Sequence, residues 1–209
     1  MRGLPKNPRT PPLPLTLTDA DLFLHEGLLW RIHTTAGEHP SAWDELRRYG
    51  PLTQFRWEPH PPPPRLHRRA AVSYAAADYA TAFAEVFQRD RAITLTPDRA
   101  LTAWFPTRPL RLLDLTESGW LLRHRASASL PHAPRDVCRS WAAAVWEQLG
   151  TEVDGIRAPS TILGHPVIAL LPRAGSAFPA APEFSRNLTH HDVATLALRA
   201  ARGLGWGIW

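Results

Sequence analysis

The chain has 209 residues, which is enough for one domain with a sizeable core and short for two. Apolar residues make up 44% and charged residues 21%, a balance that excludes wholesale disorder. The net charge is +5, and every basic residue except Lys6 is an arginine, which suits a nucleic acid or a phosphate-bearing small molecule. The single cysteine, Cys138, excludes an internal disulfide and every multi-cysteine metal motif.

The first half of the chain alternates short predicted strands with proline-rich segments. Its predicted elements in chain order are a proline-rich arm over 1–18, a strand over 28–33, a short helix over 41–49 ended by Gly50-Pro51, a strand over 54–57 and an extended loop over 59–64. Consecutive prolines support neither a helix nor a central strand, which fixes the last of these as a loop. We expect residues 19–209 to form a single folded domain behind the arm.

The second half carries the long helices. The predicted elements are a strand over 71–76, a helix over 78–89 capped by Asp78, a strand over 110–115, a helix over 135–149 stopped by Gly150, strands over 154–157 and 167–171, a helix over 189–202 and a closing strand over 206–209. On the predicted helix over 78–89, an apolar face is formed by Tyr79, Ala82, Phe83 and Val86, and Glu85 lies beside this face. Irregular alternation without a repeated βαβ unit predicts an α+β fold.

Several common functional signatures are missing. His25-Glu26 begins like a zinc-protease motif, but Leu29 stands where the second histidine belongs. Ser160 does not lie in a nucleophile elbow, and the adjacent His190 and His191 are typical of a surface pair, so we expect no metal. No apolar run reaches the ~18 residues of a membrane span. Prolines and acidic residues interrupt any signal-peptide core, so we expect a cytoplasmic protein without a membrane partner.

Five residues then stand out as candidates for chemistry. Arg31 and Arg56 each lie within an apolar segment, where an arginine needs a partner. Tyr74 lies in a predicted strand, Glu85 follows on the next helix, and Ser160 comes after a short strand and a proline. Arginine forks bind pyrophosphate oxygens, and one carboxylate can stabilise positive charge that develops on a ribose.

In this order the five residues resemble the RES-domain family, which is named for an arginine, a glutamate and a serine. The resemblance rests on the segments FRWEPHPPPP, VSYAAADYATAFAEVFQRDR, LRLLDLTESGW and DGIRAPS, and it runs from about Leu28 to the end of the chain. The chain departs from the family in two places. Ile32 follows Arg31 where some members carry an aromatic residue, and FRWEPHPPPP replaces a glycine-rich segment.

The resemblance implies a fold, a substrate and a set of roles. It implies an ADP-ribosyltransferase-like domain with central split mixed β-sheets flanked by helices, and NAD as substrate. Arg31 and Arg56 would bind the phosphates, Tyr74 would pack on nicotinamide, and Ser160 would complete the pocket. Glu85 would be the central catalytic residue, with Arg31 and Ser160 in the catalytic set.

Many RES proteins are toxins of toxin–antitoxin pairs that destroy NAD. The resemblance therefore implies a cognate antitoxin with an Xre-like helix-turn-helix portion, which would supply any DNA contact in place of this chain. The acceptor of the ADP-ribosyl group stays open between water, inorganic phosphate and, in a mono-ADP-ribosyltransferase, a protein.

Structural roles are the alternative for each of these residues. Glu85 could pair with Arg89 on the helix surface, and both candidate arginines could join internal ion pairs. Tyr74 could be an ordinary core residue, and Ser160 could only cap a turn. At the level of function, the alternatives to an NAD-consuming enzyme are a non-catalytic protein that binds a nucleotide or partner and, third, a nucleic-acid binder. Against the last, the arginines are scattered, with one short cluster at Arg65, Arg68 and Arg69.

Overall fold

The computed structural model describes residues 6–209, so the first five residues of the predicted arm lie outside it. The strands in chain order are β1 (Leu22–His25), β2 (Leu29–Thr34), β3 (Tyr49–Gly50), β4 (Arg65–Leu66), β5 (Ser73–Ala76), β6 (Ala92–Ile93), β7 (Arg99–Trp104), β8 (Leu110–Asp114), β9 (Gly155–Pro159), β10 (Pro166–Leu170), β11 (Phe184–Asn187) and β12 (Gly207–Ile208). The α-helices are α1 (Tyr79–Phe87), α2 (Trp120–Arg123), α3 (Arg135–Leu149) and α4 (His191–Leu204).

Eight of these strands form one mixed sheet in the order β1-β8-β9-β10-β5-β2-β7-β11. Neighbouring strands in this sheet are antiparallel except for β8 and β9, which run parallel because α2 and α3 form the crossover between them. At the centre of the sheet, β5 and β2 are registered through a single pair, Trp30 and Ala76. The sheet is therefore nearly divided into a five-stranded and a three-stranded part, and helices flank it, as the predicted α+β fold with a split mixed sheet requires.

Local sequence explains where the helices begin and end. Asp78 caps α1 by accepting the Thr81 N–H at 2.8 Å. Gly205 ends α4 in the left-handed conformation with φ of 66°, which a residue with a Cβ rarely adopts. Val137, Trp141 and Val145 recur along α3 at four-residue spacing and are buried against the sheet.

Register assigns the sheet's side chains to its two faces. Trp30 contacts the ring of Tyr79 on α1 at 5.9 Å between centroids, so it projects toward α1. Ala76, directly opposite Trp30, projects to the same face, and so does Tyr74, two residues earlier in β5. Arg31 follows Trp30 in β2 and therefore projects from the other face.

The predicted strands near 28–33, 71–76, 110–115, 154–157 and 167–171 are confirmed, as are the helices that became α1, α3 and α4. Two early predictions are wrong. Residues 41–49 form no helix, because Arg47 exchanges backbone hydrogen bonds with Val72 at 2.9 and 3.0 Å and continues into β3. Residues 54–57 form a loop in place of a strand. On α1, Val86 is 39% exposed, although the sequence places it on the apolar face of that helix.

The described part of the arm packs on the α2–α3 side of the domain. Leu15 is buried in the same apolar cluster as α3, and its N–H donates to the Gln148 side chain at 2.9 Å. Indole N–H groups of Trp120 and Trp141 donate to the carbonyls of Thr16 and Pro8. Within residues 6–209, no helix combines the length and apolar character needed to cross a bilayer.

Candidate active site

The structure brings two of the predicted site residues into direct contact. Ser160, which follows β9 and is 2% exposed, donates its hydroxyl proton to Glu85 Oε1 on α1 at 2.6 Å. The N–H groups of Ile162 and Leu163 donate to the same Ser160 Oγ at 3.1 and 3.2 Å. Since a hydroxyl has one proton and two lone pairs, these amides leave Glu85 as the acceptor of that proton.

The second oxygen of Glu85 is much freer than the first. Oε2 has one long contact, 3.3 Å from the side-chain N–H of Gln88, and the carboxylate is only partly buried. The alternative pairing of Glu85 with Arg89 is not formed, although both residues are described. Ser160 thus fixes the rotamer of Glu85 while one carboxylate oxygen stays available to a bound molecule.

The loop between β9 and β10 is attached to α1 at two points. Ser160 donates its N–H to the His165 carbonyl at 2.8 Å, and Gly164 turns the chain with φ of 74°. His165 Nδ1 lies 3.2 Å from Asp78 Oδ2 at the start of α1, while Ser160 contacts Glu85 near its end. Seven residues of helix separate these points by about 10 Å, so the loop lies along α1.

Tyr74 packs against the apolar cluster that contains α3, and its hydroxyl lies in a polar environment of its own. Its hydroxyl donates to Glu58 Oε1 at 3.2 Å, and its ring stacks on Phe55 at 5.1 Å with an interplanar angle of 14°. Burial, followed by the negative charge of Glu58, raises the pKa of Tyr74 well above its ordinary value. Tyr74 is therefore a neutral phenol and a hydrogen-bond donor at any physiological pH.

Arg31 projects from the face opposite α1. Its Nη1 donates to the carbonyls of Trp43 and Glu45 at 2.8 and 2.9 Å, which holds the segment after β2 against the sheet. Burial lowers the pKa of Arg31 to about 10, so the guanidinium is still charged at neutral pH. That segment and β2 border an open cavity of about 410 Å³, lined by His33, Thr35, Pro40, Ser41, Ala42 and Trp43.

The geometry limits how Arg31 and Glu85 can contact the same bound molecule. Because the two side chains project from opposite faces, a molecule that touches both has to pass the border between β5 and β2, where a single pair joins the strands. Arg31 makes no ion pair among residues 6–209, and its Nε and Nη2 have no protein acceptor there. Its phosphate-binding and catalytic roles stay predictions.

Arg56 contacts α3. Its Nη1 donates to the carbonyl of Ala133 and lies 3.6 Å from Cys138 Sγ, which ties the loop after β3 to the start of that helix. Burial raises the pKa of the Cys138 thiol, so the cation sits beside a neutral sulfur. Like Arg31, Arg56 bonds to carbonyls rather than to the internal carboxylates that the structural alternative required. Its phosphate-binding role is likewise a prediction.

The residue that sequence reasoning missed is Glu58. Its side chain has no exposure, and it accepts hydrogen bonds from Tyr74, Arg47 and His60. The segment FRWEPHPPPP contains it, but a glutamate beside a proline-rich loop is usually solvated, and no spacing rule points to its partners. A buried carboxylate in contact with a candidate site residue is found only once the chain is folded.

One group of metal-ligand atoms occurs within the part of the chain that the structure describes. It comprises His190, His191 and Asp192 at the start of α4, largely exposed. His190 Nδ1 accepts the Asp192 N–H at 3.3 Å, which is an ordinary capping contact. The trio lies on α4, and none of its members contacts the Glu85–Ser160 pair.

A carboxylate fixed by a buried serine and a nearly divided mixed sheet together define an α+β domain with a polar site beside α1. The RES domain model matches residues 28–192, most of the chain, and the chain belongs to the RES-domain family. The match includes Arg31, Arg56, Tyr74, Glu85 and Ser160, the residues on which the resemblance was predicted.

Among solved structures, the fold is similar to a chain in the crystal structure of the M. tuberculosis MbcT–MbcA toxin–antitoxin complex. The TM-score is 0.56 at 16% sequence identity, and the alignment covers 88% of this chain and 93% of that chain. At this identity the likeness shows a shared fold. Comparison with curated proteins gives no match.

Proposed function

We propose that the protein is an enzyme that degrades NAD by cleaving its nicotinamide–ribose bond, with Glu85 as the catalytic carboxylate. The observation that carries the proposal is the 2.6 Å bond from Ser160 to Glu85 Oε1, which fixes the carboxylate and leaves Oε2 for a ligand. Membership of the RES-domain family and the shared fold with a chain of a toxin–antitoxin complex support it.

The chemistry needs one carboxylate. As the glycosidic C–N bond breaks, its electron pair moves to the nicotinamide nitrogen, which leaves as a neutral molecule and needs no general acid. Positive charge develops on the ribose, as in glycoside hydrolysis, and the Glu85 carboxylate stabilises it directly or through the 2′-hydroxyl. Water or inorganic phosphate then forms a bond from its oxygen to the ribose carbon and releases a proton to the solvent.

The remaining predicted residues would bind the rest of the substrate. Tyr74 would pack on the nicotinamide ring, and Arg31 and Arg56 would contact the pyrophosphate as charged forks. Ser160 would act through Glu85, because its own proton is already committed. No metal enters this reaction.

Incubation of the purified protein with NAD, with and without phosphate, tests the proposal and identifies the acceptor by product mass. Glu85→Gln keeps the shape but removes the charge, and we expect turnover to fall by ~10²–10³. The matched control is Glu147→Gln on the exposed face of α3, which should retain parental turnover. A Glu85→Gln protein that consumes NAD as fast as the parent at equal folded concentration would falsify the assignment.

The products also separate the alternatives. ADP-ribose bound to protein would identify a mono-ADP-ribosyltransferase, and NAD that is bound but unchanged would identify a non-catalytic member. Expression in a bacterial host is expected to arrest growth and deplete cellular NAD, and Glu85→Gln should abolish both effects.

We further propose that a cognate antitoxin restrains the enzyme by covering this site. The fold is shared with a chain from a structure whose title names a toxin–antitoxin complex. An enzyme that drains NAD in the cytoplasm would harm its host without such restraint. The partner would be a small protein with a helix-turn-helix DNA-binding portion, in keeping with the family resemblance.

A further inference from the structure

Glu58 is a fully buried carboxylate with four hydrogen-bond donors around it. Oε1 accepts from the Tyr74 hydroxyl at 3.2 Å and from Arg47 Nη2, with which it also forms an ion pair. Oε2 accepts from His60 Nδ1 at 3.0 Å and from the Leu52 N–H at 3.3 Å. Burial acts to raise the pKa of Glu58, but the bonds from His60 and Arg47 outweigh it, and the pKa lies below its ordinary value.

The ionised carboxylate determines the protons around it. Because a carboxylate only accepts, His60 must carry a proton on Nδ1. His60 Nε2 is buried without a partner among the described residues. The Tyr74 hydroxyl must likewise point its proton at Glu58, so its direction is fixed.

The same cluster holds the Tyr74 ring from one side. Phe55 stacks on that ring, and the Arg47 guanidinium lies over the Phe55 ring at 5.2 Å from its centroid. Arg47 therefore contacts both the aromatic stack and the carboxylate that orients the tyrosine. The ring plane and the hydroxyl of Tyr74 are fixed together by the loop that precedes β4.

We propose that Glu58 is a positioning residue for the substrate of this enzyme, acting through the Tyr74 hydroxyl. The inference rests on the proposed NAD-cleaving function, in which Tyr74 packs on nicotinamide. Tyr74 lies in β5, the strand that leads directly into α1, the helix that carries Glu85. A ring that is already held in its binding orientation loses less freedom when the substrate arrives, which favours binding.

Steady-state kinetics of a double-mutant cycle test this role. Tyr74→Phe keeps the ring and loses only the hydroxyl, whereas Glu58→Gln leaves one accepting oxygen for donors that now use two. We expect each change to raise KM for NAD by about 5–10-fold and to alter kcat by less than about two-fold, because binding and not bond cleavage is weakened. In the Tyr74→Phe background, Glu58→Gln should add less than about two-fold.

Asp154→Asn is the matched control. Asp154 is also a carboxylate without exposure, bonded to Arg108 and Arg173, and it precedes β9 whereas Ser160 follows it. The strand puts about 20 Å between the two positions. Asp154→Asn should lower the melting temperature as Glu58→Gln does, and leave KM for NAD at the parental value.

The outcomes separate the inference from the function beneath it. Suppose that the parent turns over NAD and that Glu85→Gln abolishes this turnover. A Glu58→Gln protein with the parental KM for NAD then overturns the positioning role alone. So does an equal rise in KM from Glu58→Gln in both backgrounds. If Glu58→Gln does not fold, Tyr74→Phe decides, and a parental KM in that variant refutes the role. A folded parent that neither turns over nor binds NAD overturns the proposed function and this inference with it.

Discussion

Hydrogen-bond geometry distinguishes Glu85 from the buried aspartates Asp154 and Asp114. Asp154 and Asp114 also accept several bonds, but their donors include the guanidinium groups of Arg108 and Arg173 and of Arg157, respectively, so their charge is neutralised in place. Glu85 is held by a neutral hydroxyl, which fixes its conformation and leaves its charge uncompensated. A carboxylate arranged in this way can stabilise a cation that forms beside it.

His33 is a buried histidine whose neutral form the fold favours. Its Nδ1 lies 2.8 Å from the Ser41 carbonyl, and its Nε2 lies 3.0 Å from Thr102 Oγ1. Burial lowers the pKa of His33, the Ser41 carbonyl opposes that shift, and the charge of Arg31 adds to it. Between this lowered value and the ordinary ~6.5, the unfolded chain binds the extra proton and the folded chain does not.

Stability should therefore fall as the pH is lowered from 7 toward 5. One such group contributes a slope of at most about 1.4 kcal/mol per pH unit. His33→Gln should flatten the dependence of the unfolding free energy on pH, measured by denaturant titration. Part of the slope will persist, because burial lowers the pKa of His25 in the same direction.

The control for this measurement is His39→Gln. His39 has an 89% exposed side chain, and its replacement should leave the pH slope unchanged. An unchanged slope in His33→Gln would mean that His33 takes up its proton in the folded state without cost.

At the level of elements, the arm is part of the domain's core. Leu15 is 5% exposed and packs in the cluster that contains Trp120, Trp141 and Val145. Thr16 donates its N–H to His124 Nε2 at 3.0 Å, and its carbonyl accepts the Trp120 indole N–H at 2.8 Å. These contacts tie an irregular segment to α2 and α3 through its backbone.

Leu15→Ala should lower the free energy of unfolding by about 2–4 kcal/mol, as expected for a buried leucine. Leu13→Ala is the matched control two residues away, and at 66% exposure it should change stability by less than about 0.5 kcal/mol. Chemical denaturation of both variants makes the comparison. Equal stability in the two would show that the arm detaches before the domain unfolds.

The elements that sequence predicted were those with local signals. The cap Asp78 predicts the start of α1 closely, and the stop Gly150 predicts the end of α3, because each acts within one turn of its own helix. β7 went unpredicted although it lies between β2 and β11, because its sequence RALTAW has a single β-branched residue. Pairing on both sides, which no local window contains, makes it a strand.

The predicted helix over 41–49 failed for the same reason. The carbonyls of Trp43 and Glu45 accept from the distant Arg31, and Arg47 pairs with Val72, so backbone groups are satisfied without a helix. Prediction of the site has the same limit. The family motifs identify Glu85 and Ser160 as site residues, but the contact between them joins residues 75 apart in the chain. Only the fold brings them together.

At the scale of the whole molecule, the candidate site opens beside uncovered apolar side chains. Val86 follows Glu85 on α1 and is 39% exposed, and Ile162, whose N–H donates to Ser160 Oγ, is 38% exposed. A partner that covers the Glu85–Ser160 pair would bury both residues. The net charge of +5 also favours approach of an acidic partner.

We therefore expect Val86→Glu and Ile162→Glu to weaken binding of the proposed antitoxin by at least about tenfold, because each places a charge in an apolar contact. The probe is the product of the neighbouring gene, co-expressed and then titrated against purified protein while NAD turnover is followed. Leu122→Glu is the control: Leu122 is 70% exposed on α2, beside the arm, and its replacement should leave inhibition intact. Parental inhibition of both site variants would show that the partner acts without covering the site. Tight, sequence-specific DNA binding by this chain alone would instead favour a nucleic-acid role, since the helix-turn-helix is expected on the partner.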